Sequence, residues 1–135
     1  MNSELNEALL KAKLRTTKPR TQIFDTLKSL NRPMSIMDIV NACPGIDKVS
    51  VYRTIELFVE LRIVSTIPHG WKHVYELAAP FIPHHHHLIC EKCGNLTEIH
   101  SDRLESIITS LTDEHGFKTS GHHFEITGLC RECAP

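Results

Sequence analysis

Cysteines 90, 93, 130 and 133 form two C-x-x-C pairs in a chain of 135 residues. Two such knuckles around one ion make a tetrahedral four-thiolate site, a geometry and donor set that favour zinc. The constraint on the fold is severe. The tail of the chain must return to the segment "LICEKCG", so residues 84–135 are expected to close into a unit whose folding includes metal binding. A disulfide reading is weaker, because "MNSELNEALLKAK" lacks a signal peptide's apolar core and a reducing cytosol keeps thiols free. The protein is therefore expected in the cytoplasm. No membrane partner is expected, since no apolar run approaches the ~20 residues of a span. The fifth cysteine, Cys43, falls in an apolar helical stripe and reads as a small buried hydrophobe.

Directly before the first knuckle stand four histidines, His84–His87. A purification tag would sit at a terminus, whereas this run lies mid-chain between Pro83 and a strand-like Leu-Ile-Cys. Successive side chains of a strand point to opposite faces, so His84 and His86 share one face and His85 and His87 the other. One run thus seeds two sites. Imidazole suits zinc, ferrous iron and nickel, and carboxylates shift the preference toward harder ions. Carboxylates and further histidines lie within reach of such a run. Glu98 and His100 share a face of the next strand, and Glu76 ends the strand before a proline-rich stretch. Glu105 flanks a helical apolar stripe, and His122 and His123 precede the last strand.

The first half of the chain has a different character. Residues 1–83 carry 11 Lys/Arg against 8 Asp/Glu, and residues 84–135 carry 4 against 8. "KAKLRTTKPR" (Lys11–Arg20) holds five cationic residues and no acid, which suits a polyanion as well as a solvated helix end. Leu5, Ala8, Leu9 and Ala12 recur at helical spacing, and Pro19 can open a second helix whose Ile23, Leu27 and Leu30 line one face. Ser35 with Asp38 has the form of a capping box for a third helix bearing Ile36, Ile39, Val40 and Cys43. A fourth helix starts between Asp47 and Ser50, buries Val51, Ile55 and Phe58, and turns Ser50, Arg53, Glu56 and Glu60 outward with Tyr52 on the flank. Strands at Ile63–Ile67 and His73–Leu77, joined by "PHGWK", predict a hairpin.

This order is that of a winged helix-turn-helix, with the fourth helix suited to a major groove and the hairpin as the wing. "AAPFIP" (78–83) reads as a stiff hinge. Beyond it, strands at His84–Cys90 and Leu96–His100, a helix at 102–115 closed by Gly116, and a strand at Phe124–Gly128 are expected. The fold class is α+β: a winged helix-turn-helix domain over 1–77, a linker over 78–83, and a small α/β domain over 84–135.

"VSVYRTIELF", "LRTTKPR", "HHHHLICEKCG" and "CREC" together resemble the ferric uptake regulator family of metal-sensing bacterial repressors, and the resemblance covers nearly the whole chain. It implies that the second domain dimerises, and that a homodimer binds palindromic double-stranded DNA operators when a regulatory divalent metal is held. By position, Tyr52 and Arg53 are implied as the DNA-contacting pair of the fourth helix and Arg15 as a minor-groove contact; Arg20 of the basic stretch and Ser50 of the outward helix face are expected to bind DNA beside them. Cys90, Cys93, Cys130 and Cys133 are implied as the structural zinc site, Glu76, His85, His87 and Glu98 as the regulatory site, and His84, His86, Glu105 and His122 as a second site in the dimerisation domain. The regulatory ion is expected to be Fe(2+) or Zn(2+).

The chain departs from the family where iron-sensing members often place a histidine, carrying Pro33 there; His69, His73 or His100 are the candidates for an extra ligand. Three other functions are weighed beside this one. A metal chaperone or storage module explains the histidines but not the helix-turn-helix layout. A nonspecific architectural DNA binder explains the layout but not the histidines. A zinc hydrolase lacks support, because neither H-E-x-x-H nor a nucleophile motif occurs, and no small-molecule substrate is expected.

Overall fold

Thr17 opens the first long helix by turning its side chain back on the helix start, accepting from the Arg20 amide at 3.4 Å, with proline in the first turn where no N–H is needed. The computed structural model describes residues 3–135 and divides the chain into two compact units that meet in sequence at Pro83/His84.

The first unit holds α1 (Ser3–Lys11), α2 (Lys18–Leu30), α3 (Ile36–Ala42), α4 (Lys48–Glu60), β1 (Val64–His69) and β2 (Lys72–Leu77). Asn31 ends α2 in the left-handed conformation at φ 46°, a role its short polar side chain tolerates. The capping box at Ser35 and Asp38 is complete in both directions, each at 3.1 Å. Asp47 caps α4 through the Ser50 amide at 3.1 Å. The core is continuous through Leu5, Leu9, Ile23, Phe24, Ile39, Val51, Ile55 and Phe58, with Met34, Ile63 and Leu77 closing it from the sheet side. Cys43 is fully buried among them, as its place in the stripe predicts.

Two expectations need correction. Phe24, not Leu30, completes the buried face of α2, and Leu30 is 44% exposed, because the helix ends there and its last turn faces water. The hairpin loop is Gly70-Trp71 alone. β1 and β2 stay in antiparallel register through Pro68↔His73 and His69↔Lys72, so "PHGWK" is mostly strand. Gly70 at φ 66° supplies the positive φ that so tight a connection demands. In "AAPFIP", Phe81 meets Phe24 edge-on with centroids 5.2 Å apart, and Ile82 also packs on the core of the first unit.

The second unit holds β3 (His86–Cys90), β4 (Leu96–Ile99), α5 (Asp102–Glu114) and β5 (Glu125–Gly128). Its sheet order is β4-β3-β5, with β3 antiparallel to β4 and parallel to β5. β3 starts two residues later than expected, at His86, and β4 ends at Ile99, so His84, His85 and His100 lie outside ladder positions. Ser101 caps α5 through the Leu104 amide at 3.2 Å. His115 is the C-cap and Gly116, at φ 69°, follows it. The apolar stripe of α5 is not buried within the chain: Ile107 is 57% and Leu111 52% exposed. No helix among the described residues is long and apolar enough to cross a membrane.

Candidate metal centres and helix-turn-helix surface

The first knuckle forms because the chain must reverse tightly after β3. Gly94 takes φ 77° and its amide returns to the Cys90 carbonyl at 3.0 Å. The second knuckle repeats the device, with the amides of Cys133 and Ala134 donating to the Cys130 carbonyl. Parallel pairing of β5 with β3 delivers Cys130 beside Cys90. The four cysteine sulfurs lie within 4.8 Å of one another. Cys93 and Cys130 Sγ are 3.7 Å apart. A zinc ion with bonds of ~2.3 Å in a tetrahedron requires sulfur–sulfur edges of about 3.8 Å, so the cage fits that ion.

Electrostatics support the fit. The amides of Cys93 and Cys130 donate to Cys90 Sγ at 3.5 and 3.4 Å. These N–H groups stabilise the thiolate and bring the Cys90 thiol down to about 6. Cys133 is pushed up to about 12, first by its hydrogen bond to Cys130 and then by burial. At Cys93 the Asn95 amide works downward, but the hydrogen bond to Cys90, burial and Cys130 outweigh it and raise the thiol. Near neutral pH, Cys90 is thus already a thiolate while Cys93 and Cys133 hold protons. Zinc loading is expected to release protons from both, so affinity falls as pH falls. Calorimetric titration of zinc into metal-free, reduced protein in buffers of different ionisation enthalpy measures that release; a heat independent of buffer contradicts it.

The second cluster gathers His84, His86, Glu105 and His122, again within 4.8 Å. His84 Nε2 stands 2.6 Å from Glu105 Oε1 and 3.0 Å from His122 Nε2. His122 Nε2 lies 3.0 Å from Glu105, and His86 Nε2 lies 3.4 Å from Glu105 Oε2. Glu105 is on the first turn and a half of α5, and His122 is on the segment leading into β5. The Phe124 amide donates to His86 Nδ1 at 3.1 Å, which fixes the ring and points Nε2 at Glu105. Burial lowers the His86 pKa against the pull of Glu105. Burial opposes ionisation of Glu105, but hydrogen bonds from His122 and His86 prevail and hold it below the usual carboxylate range. A neutral imidazole and an ionised carboxylate are the forms that ligate a divalent ion, and three nitrogens with one carboxylate suit zinc or ferrous iron. His123 is exposed and stands outside this cluster.

On the other face of β3, His85 and His87 lie with ring centroids 4.8 Å apart. Glu98, opposite His87 on β4, places Oε1 3.8 Å from His85 Nε2 and Oε2 3.7 Å from His100 Nε2. Glu76 is on β2 of the first unit, across from Ser65, and His69 and His73 are on the same hairpin.

In the first unit, α4 buries Val51, Thr54, Ile55 and Phe58 and turns Tyr52 and Arg53 to solvent. Tyr52 is 42% exposed, with Lys48 Nζ 5.9 Å from its ring centre. The Ser50 hydroxyl donates to Asp47 Oδ1 at 2.6 Å, so this side chain is engaged at the cap. Together with the Ser50 amide it holds the Asp47 carboxyl below its ordinary value. Arg15 is exposed, and its carbonyl accepts from Arg20 Nη1 at 2.6 Å, which ties two cations of the basic stretch together. Sequence reasoning missed the amide donors to Cys90, which no side-chain pattern announces, and the buried Thr54, which the helical spacing from Val51 to Phe58 could have found.

Comparisons with known proteins agree on one family. The model of the ferric uptake regulator family matches residues 11–127. The ferric uptake regulation protein of Campylobacter jejuni is 35% identical over 127 residues, covering 89% of this chain and 80% of its own. That of Escherichia coli K12 is 32% identical, covering 94% and 88%. Among solved structures, the ferric uptake regulator of Pseudomonas aeruginosa with manganese superposes with a TM-score of 0.83 at 26% identity, covering 94% of this chain and 98% of that one. The Vibrio cholerae regulator gives 0.72 at 27% identity, covering 93% and 98%. Members of this family are metal-responsive transcription regulators and not enzymes, and this chain belongs to the ferric uptake regulator family.

Proposed function

We propose that the protein is a metal-activated repressor that binds palindromic operators as a homodimer, with residues 1–77 as the DNA-binding domain, 78–83 as the hinge and 84–135 as the dimerisation domain. The observation that carries this reading is the outward face of α4: Tyr52 and Arg53 stand in solvent directly behind a fully buried stripe, on a helix capped at Asp47 and preceded by α3. Arg15 and Arg20 supply phosphate or minor-groove contacts beside it. Ser50 contributes by fixing the helix start.

In the second unit the four cysteines hold a structural zinc. His85, His87 and Glu98 form the regulatory site, to which the family resemblance adds Glu76 from the winged unit. His84, His86, Glu105 and His122 form a further site. The divalent ion supplies a crosslink of charge among ligands. The residues do the rest: His87 is fixed on the central strand with His85 just before it, and Glu98 Oε2 lies 3.7 Å from His100 Nε2, which suits His100 as an orienting neighbour of the site. The family resemblance implies that ligation of this site selects the DNA-binding form of the protein. Iron is the metal that the relatives' names point to, and the ferrous ion is the divalent form proposed as effector. Zinc is the second reading, favoured by the nitrogen-rich His84/His86/His122 cluster.

The test uses protein that keeps its structural zinc and is stripped of exchangeable metal. Ferrous iron, zinc, manganese and nickel are titrated anaerobically against a duplex selected from a random-sequence pool. One metal is expected to raise affinity by roughly 5–150-fold. Equal affinity with and without every metal overturns the proposal.

The homodimer is supported by the uncovered apolar residues of the second unit, Ile107, Leu111, Phe117, Ile126 and Leu129, each at least half exposed. An apolar surface of that kind marks an interface. Ile107→Glu with Leu111→Glu is expected to give a folded monomer in sedimentation, because neither side chain is needed to close the chain on itself. A double variant that still sediments as a dimer places the interface elsewhere.

A further inference from the structure

Trp71 is 95% exposed, more than any other large hydrophobic side chain described, and it is the only tryptophan in the chain. It occupies the second position of the two-residue turn between β1 and β2. Turn geometry accounts for Gly70, at φ 66°, but not for an indole beside it, since such turns favour small or polar residues. An aromatic side chain left wholly in water forgoes the burial that makes tryptophan frequent at interfaces. Its surroundings say which interface. Lys72 and His73 are exposed next to it, His69 ends the facing strand, and no Asp or Glu occurs between Glu60 and Glu76. The tip joins an apolar plate, an N–H donor and a cation with no carboxylate to repel a polyanion.

We propose that Trp71 and Lys72 form a minor-groove contact of the wing. The indole lies against the deoxyribose walls, Nε1–H donates to the acceptors on the groove floor, and the Lys72 ammonium pairs with a flanking phosphate. A·T and T·A pairs present only acceptors there, whereas a G·C pair adds a guanine amino group that obstructs the indole. The wing therefore prefers A·T pairs where it sits, and Trp71 is the residue that sets this preference. The inference rests on the DNA-binding reading above.

Because Trp71 is the sole tryptophan, its emission reports this site alone. Metal-loaded protein is titrated into a fluorescein-labelled duplex taken from the selected pool, and Trp71 emission and duplex anisotropy are followed together. The expected result is a change in Trp71 emission that saturates with the anisotropy and reverses with a minor-groove-binding oligopyrrole. Trp71→Ala is expected to weaken binding by roughly tenfold. G·C pairs placed under the wing should weaken the wild type, inosine·C pairs, which lack the amino group, should restore it, and Trp71→Ala should not distinguish them. Full anisotropy with unchanged Trp71 emission, or Trp71→Ala binding within twofold of wild type, overturns the wing contact and leaves the DNA-binding reading intact. No anisotropy change with any metal overturns both. An emission shift that follows protein concentration without DNA assigns the tip to a second copy and overturns the proposal.

Discussion

Cys90→Ser is expected to unfold residues 84–135 while the first unit keeps its helices. The reason is how little else holds the second unit. Ile89 and Cys90 are its buried apolar side chains among the described residues, and His86 and His87 are its buried polar ones. α5 contributes no fully buried residue. Burial of one or two such side chains supplies about 1.5–3 kcal/mol each, while ordering each residue of the backbone costs roughly 1–2 kcal/mol. A structural zinc contributes about 10–16 kcal/mol at neutral pH, which is the scale of a whole domain's stability. Cys90 is the worst cysteine to lose. Its thiolate already gathers two backbone amides, and it ends the central strand of the sheet. Serine keeps the size but removes a soft, readily ionised ligand. Hydrogen exchange should show protection lost across β3, β4 and β5 and retained in α2 and α4, with zinc content reduced by one per chain. A variant that keeps its zinc and its exchange protection in β3 would show that packing alone closes the unit.

The sequence carried this architecture unevenly, for physical reasons. Local signals were readable. Pro19, which has no amide to leave unpaired, and the Ser35/Asp38 pair and Asp47, which satisfy orphan amides, each mark a helix start, and each stands where the structure starts a helix. Alternation along β3 divides the histidines into two pairs, and the structure has His84 and His86 beside Glu105 and His122, with His85 and His87 together on the other face. Non-local features were not readable. The parallel pairing of β5 with β3 joins segments more than thirty residues apart and leaves no periodic trace. The short turn at Gly70-Trp71 was hidden because Pro68 reads as loop, although the end of a two-stranded ribbon accepts proline. The apolar stripe of α5 was visible, but a stripe states only that something covers it. Among the described residues Leu104 and Ile108 are only partly covered and Ile107 and Leu111 stay more than half exposed, so this stripe does not close a core within the chain.

The other large effect is expected from His85→Ala combined with His87→Ala. Metal-dependent gain in operator affinity should collapse from roughly 5–150-fold to about onefold, while affinity without effector metal and zinc content stay near wild type. Separation of these properties follows from the faces of β3. Its cysteine end carries the zinc site, and His84 and His86 point to the Glu105 cluster, so removing the opposite pair leaves both of those groups whole. Glu98→Gln should weaken metal binding without abolishing it, because the amide keeps one acceptor oxygen but loses the charge that faces His85 and His100. His100→Ala should have the smaller effect of an orienting partner, read as weaker metal affinity with full activation at saturation. Gel-shift titration in metal-buffered solution resolves all three variants. Persistence of activation in the double histidine variant, with loss on His84→Ala or His122→Ala instead, would make the Glu105 cluster the effector site, and the switch would then operate entirely within the second unit.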